Sequence, residues 1–115
     1  MSGVGHNLEK IVEGTNHLRQ VLKSDVRFGD LVFVTTRNST YSLSVLDEDR
    51  YIVSGGWFDR KGLSPVKATV TGCSWGGSII KVDTVAACGL HLEFGNRVIT
   101  TPIQKVSVVR FSGKN

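Results

Sequence analysis

The sequence predicts a mainly β domain, a small antiparallel β-barrel of SH3/Sm-like or related form. It would hold about seven or eight short strands, with one N-terminal α-helix packed on it. Three observations predict the mainly β class and the single helix; the SH3/Sm-like form is what a resemblance given below implies. Short runs of alternating polarity recur from residue 28 to 111. Glycine, asparagine or proline separates those runs. Only residues 7–24 place their apolar side chains at helical spacing.

The size fits one domain with its own core. The chain has 115 residues, 40% of them hydrophobic, and its two cysteines read as reduced thiols. No apolar run approaches the ~18 residues of a membrane span. The start, "MSGVGHNLEK", lacks the charge and apolar stretch of a signal peptide, so the expectation is a cytoplasmic protein.

Residues 1–6 read as disordered. From Asn7, a suitable N-cap, Leu8, Ile11, Val12, Leu18, Val21 and Leu22 form one stripe, which predicts a helix over 7–24. Gly14 weakens its middle by about 1 kcal/mol relative to alanine, so the helix depends on docking. "LVFVTTR" and "TYSLSVLD" then flank Asn38-Ser39 as a hairpin. With those two residues in the turn, Val34 faces Leu43 and Val32 faces Val45. Val32, Val34, Tyr41, Leu43 and Val45 then share the core face. Leu31 and Phe33 fall on the opposite face and need cover, from the N-terminal helix or from a second subunit.

"DEDR" reads as a turn, "YIVSGG" as a strand and "WFDRKGLSP" as a loop carrying an aromatic pair. "VKATVTG" alternates Val66, Ala68 and Val70 against Lys67, Thr69 and Thr71. "SIIKVDTV" puts Ile80 and Val82 opposite Lys81 and Asp83, and "LHLEF" puts Leu90, Leu92 and Phe94 opposite His91 and Glu93. Gly95-Asn96 turns the chain into "RVITT". A last strand, "QKVSVVRF", follows Pro102, and residues 112–115 form a tail.

"GCSWGGS", residues 72–78, matches the G-x-S-x-G pattern that presents a nucleophilic serine, and Asp83 and His91 follow in the order of an α/β-hydrolase triad. That elbow needs a helix after its serine, whereas the next residues alternate like a strand. A hairpin of strands 78–85 and 89–94 accounts for the same residues. It would pair Asp83 with His91, Lys81 with Glu93, Val82 with Leu92 and Ile80 with Phe94. A serine hydrolase is therefore only a remote alternative. Cys88 and His91 have C-x-x-H spacing but too few companions for zinc, so neither a metal nor a cofactor is expected.

The net charge is +4, and from residue 94 onward Arg97, Lys105, Arg110 and Lys114 meet no acid. Trp57, Phe58 and Trp75 lie beside glycines in connections, where they serve either as contact anchors or as plugs for the barrel ends. The leading expectation is a non-enzymatic binding or assembly module that self-associates, docking through Trp57, Phe58, Trp75, Leu31 and Phe33. The alternative is single-stranded nucleic acid, RNA above all, held by Arg97, Lys105 and Arg110 with the loop tryptophans. Its affinity would fall steeply with salt.

"RNSTY", "GCSWGGS" with its following apolar strand, and "LEFGNRVITTPI", within residues 29–106, resemble a family of short bacterial β-rich proteins with no assigned activity. That resemblance implies no site residues. "GDLVFVTTRNSTYSLSVLDEDRYIV" is also similar to the first motif of Sm-like barrels, which set an N-terminal helix before five strands. The closing strand lacks the Arg-Gly pair of their second motif, so no RNA-binding residues carry over.

Overall fold

In the computed structural model, which describes residues 18–76 and 78–111, alternation along the chain becomes a closed barrel. β2 (Leu31–Thr36) and β3 (Thr40–Val45) pair antiparallel, with Val32 opposite Leu43 and Val34 opposite Tyr41. The turn is Arg37-Asn38, closed by the Thr36 N–H donating to the Ser39 carbonyl at 2.8 Å. The register thus differs by two residues from the expected one. A shift of two preserves the face, so Val32, Val34, Tyr41, Leu43 and Val45 are all buried as expected.

β4 (Arg50–Gly55) extends this meander, and β5 (Val66–Ser74) pairs along it with Tyr51 opposite Ala68. β8 (His91–Phe94) joins β5 on its other side, and β9 (Ile99–Val109) lies between β8 and β2. The order β4-β3-β2-β9-β8-β5 closes through the β4–β5 pairing into a six-stranded antiparallel barrel. β9 is one strand, where the sequence suggested two. Pro102, which lacks a donor, lies where β9 leaves β8 for β2: His91 is opposite Pro102, and Thr36 is opposite Ile103.

The segment "WFDRKGLSP" holds a short helix, α1 (Gly56–Arg60), rather than only a loop. Gly55, at φ 101°, makes the approach to α1 possible because a Cβ there would collide with the Thr40 carbonyl. α1 swings Phe58 into the barrel end, where its ring meets Phe94 at 4.9 Å and Tyr41 at 6.4 Å, both edge-to-face.

The N-terminal expectation is corrected where it can be seen. Residues 18–24 are not helical: β1 (Gln20–Leu22) pairs antiparallel with β7 (Thr84–Ala87), and a 3-10 turn, Lys23–Asp25, follows. The remainder of the expected 7–24 helix lies outside the described residues, as do residues 1–6 and 112–115. The reason for the strand is local pairing. Val21 needs one inward position and finds it opposite the small Ala86, while Cys88 N–H donates to the Arg19 carbonyl and Lys23 N–H to the Asp83 carbonyl, each at 2.8 Å.

A second correction concerns residues 78–94. β6 (Ile80–Lys81) folds back on β5, with Ser74 opposite Ile80 and Cys73 opposite Lys81. The expected 78–85/89–94 hairpin therefore does not form, and Asp83 is not opposite His91. Gly72 is the cause. At φ 151° it lets the Lys81–Val82 backbone cross β5 where a Cβ would strike the Lys81 carbonyl. No helix among the described residues is long and apolar enough to cross a membrane.

Candidate functional site

The structure separates the two tryptophans. Trp57, on α1, is half-buried and packs against the core, its ring edge-to-face with Phe58 at 5.1 Å. Trp75 follows β5 and is 54% exposed. Its N–H donates to the Ile79 carbonyl at 3.3 Å, closing the tip of the β5–β6 hairpin. This tip emerges at the C-terminal end of β5, whereas α1 precedes the start of that strand.

Four large apolar side chains lie on this connection: Trp75, Ile79 at 66% exposure, Ile80 and Val82 at 60%. Ile80 and Val82 were expected in the core. The β5–β6 pairing instead turns them to solvent, and a closed barrel with a filled interior has no place for them. β6 is also the terminal strand of its sheet, so its outer edge presents backbone groups.

The two flanks of the strip differ in charge. Beside Trp75 lies a hollow lined by Arg19, Gln20, Lys81, Ala87, Cys88 and Leu90, with two cations and no acid. Beside Val82 lies another, lined by Leu22, Lys23, Ser24, Glu48, Asp49 and Asp83. There Lys23 is taken by Asp49 at 2.7 Å, leaving Glu48 and Asp83 as the unbalanced charges of that lining. Arg19, Glu48 and Ile79 were not singled out as contact residues in the sequence, and Ile80 was placed in the core. For the isoleucines the signal was "WGGSII", a glycine-serine turn entering two adjacent isoleucines.

Leu31 and Phe33 lie on the outer face of β2 and are half-buried. Phe33 is flanked by Ser42 and Ser107, and Leu31 by Ser44 and Val109, so small neighbours leave room for the larger side chains along the sheet. Phe58 is 1% exposed and serves as a plug rather than a contact anchor.

The basic residues named from sequence are dispersed. Arg97, in the β8–β9 turn at φ 73°, and Arg110 stand beyond opposite ends of the 11-residue β9. Lys105 is exposed on β9 opposite Thr35. Arg110 reaches the buried Asp30 carboxylate at 3.2 Å and also donates to the Asp25 carbonyl. Asp30 in turn accepts the Arg27 N–H at 3.0 Å and the Phe111 N–H at 2.8 Å, tying the start of β2 to the end of β9.

Ser74 and His91 are cross-strand neighbours, but Ser74 lies within β5, fully buried, and not on a strand-to-helix turn. His91 Nδ1 sits 2.7 Å from the Thr100 carbonyl and therefore carries the proton that it donates there. Asp83 instead accepts from the Thr84 hydroxyl at 3.0 Å. Cys73 is enclosed, and burial pushes its thiol up to about 12 from 9.0. The Cys88 thiol contacts the Leu18 and Gln104 carbonyls. No cluster of metal-ligating side chains occurs among the described residues.

No protein-family model, curated protein or solved structure matches the chain. The geometry carries the functional reading.

Proposed function

We propose that the protein is a non-enzymatic assembly module that pairs with a second copy of itself through the β5–β6 hairpin. One observation carries this reading: Trp75, Ile79, Ile80 and Val82 stand in water on one connection, with a basic hollow on one side and an acidic one on the other. A two-fold interface must be self-complementary. An axis through the apolar strip brings the Arg19 and Lys81 flank of one copy against the Glu48 and Asp83 flank of the other. The free edge of β6 gives the two copies a backbone contact at the same place. A cytoplasmic location accords with the reduced thiols.

Charge reversal tests the arrangement. Arg19→Glu and Glu48→Lys, both at exposed positions, each weaken self-association by roughly fivefold or more, because like charges then meet across the axis. The double variant recovers the original affinity. Dimers that ignore all three changes would refute this contact surface.

A further inference from the structure

At the α1 end of the barrel, the β2–β3 turn, α1 and the beginning of β9 border a partly open cavity of about 120 Å³. That is room for roughly four waters, enough for one ring, with a phosphoryl group held at the open rim by the exposed Arg60. We propose that this cavity binds a nucleoside phosphate, with the phosphate on Arg60 and the base against Trp57. Its lining shares no residue with the hairpin tip, so it stands or falls independently of the assembly reading.

The polar lining is rich in donors and contains no carboxylate. Arg60 supplies a guanidinium, Asn38 an amide, and Ser39 and Thr101 hydroxyls. Arg60 is exposed, makes no ion pair among the described residues, and donates to the Ser39 hydroxyl at 3.4 Å. A planar fork with most of its N–H groups unpaired suits a phosphate, which can accept two parallel bonds. A neutral sugar is a poorer match, because its hydroxyls would find no carboxylate to receive their protons.

The apolar half of the wall is Trp57, Val98 and Ile99. Ile99 is 48% exposed beside the half-buried Trp57, which leaves an apolar slot open to solvent. A ring bearing an anion satisfies both halves of such a cavity at once. Two further cations adjoin lining residues in the chain. Arg37 occupies the β2–β3 turn, and Arg97 immediately precedes the lining residue Val98. Neither turn carries an acid, and Asp59 on α1 is engaged by the Gly55 N–H at 2.9 Å. Arg97 also holds a left-handed backbone, φ 73°, where glycine is favoured, an arrangement that accumulates at ligand sites.

The chemistry has two possible sources, a free mononucleotide or a nucleotide within a single strand. Trp75→Phe leaves Trp57 as the sole tryptophan and makes its fluorescence the readout. The variant is titrated at low salt with AMP, adenosine, inorganic phosphate and a short single-stranded oligonucleotide. Saturable quenching by AMP is expected, with adenosine and phosphate each weaker. Arg60→Ala lowers AMP affinity roughly tenfold or more at an unchanged melting temperature. Oligonucleotide binding much tighter than AMP, and falling with salt, assigns the source to a strand. Equal affinities assign it to the free nucleotide. No saturable response to AMP or the oligonucleotide at millimolar concentration overturns the proposal, as does an Arg60→Ala variant that binds them unchanged.

Discussion

Replacing Phe58 with alanine removes the side chain that fills the α1 end of the barrel. It is 1% exposed, and its ring meets Phe94 at 4.9 Å, Trp57 at 5.1 Å and Tyr41 at 6.4 Å. Truncating such a ring costs about 3–5 kcal/mol, lost transfer energy plus the cavity left behind. A domain of this size has only about 5–15 kcal/mol in total. With about 4–8 °C lost per kcal/mol, the melting temperature should fall by at least roughly 12 °C. Trp75→Ala is the matched control. At 54% exposure that ring is outside the core, and its loss should change monomer stability by less than about 1 kcal/mol. Circular-dichroism melts at dilute concentration compare the two. A Phe58→Ala drop of only a few degrees, or a Trp75→Ala drop as large as that of Phe58→Ala, would refute the division of roles between plug and exposed tip.

Asp30→Ala unties the β2–β9 junction at Arg27, Phe111 and Arg110, and should cost about 2–4 kcal/mol by urea unfolding. Arg110→Ala should cost under about 1 kcal/mol, since that side chain is 53% exposed. Gly72→Ala puts a Cβ against the Lys81 carbonyl and should cost more than about 1 kcal/mol while displacing β6, read as lost amide protection at Lys81. Alkaline pH should destabilise the fold. Burial pushes the Cys73 thiol up from 9.0 to about 12, and burial with Asp49 nearby raises the Tyr51 hydroxyl above its ordinary 10.0. Both groups ionise first in the unfolded chain. Stability is therefore complete below about pH 9 and falls as pH rises toward 12. The urea midpoint should follow that slope, and Cys73→Ala should flatten it.

Much of the barrel was legible because period-two alternation survives small errors of register. The 31–45 hairpin was misplaced by two residues, yet every inward side chain kept its face. Leu90, Leu92 and Phe94 likewise reached the core. The hairpin tip was not legible, for the same reason that alternation is informative. Ile80 and Val82 alternate with Lys81 and Asp83 just as a core strand would, and periodicity cannot say which side of a strand meets another layer. Pairing decided it, through Gly72 and the crossing of the Lys81 backbone over β5. Residues 18–24 show a similar ambiguity, because Leu18, Val21 and Leu22 suit a helical stripe while Val21 alone needs to be buried in a strand. The cavity at Trp57 was hidden because Asn38, Arg60 and Thr101 come from three separate segments that only barrel closure brings together. The tryptophans themselves were recognisable, but which one packs against the core depends on α1.

Sedimentation velocity across a wide concentration range, run on the unaltered chain and on an Ile79→Asp, Val82→Asp variant, tests self-association most directly. Both replaced side chains are more than half exposed, so the variant should melt like the parent. The account expects a concentration-dependent dimer for the parent and a monomer for the variant. A parent that stays monomeric at the highest concentration, or a variant that dimerises equally well, would contradict it.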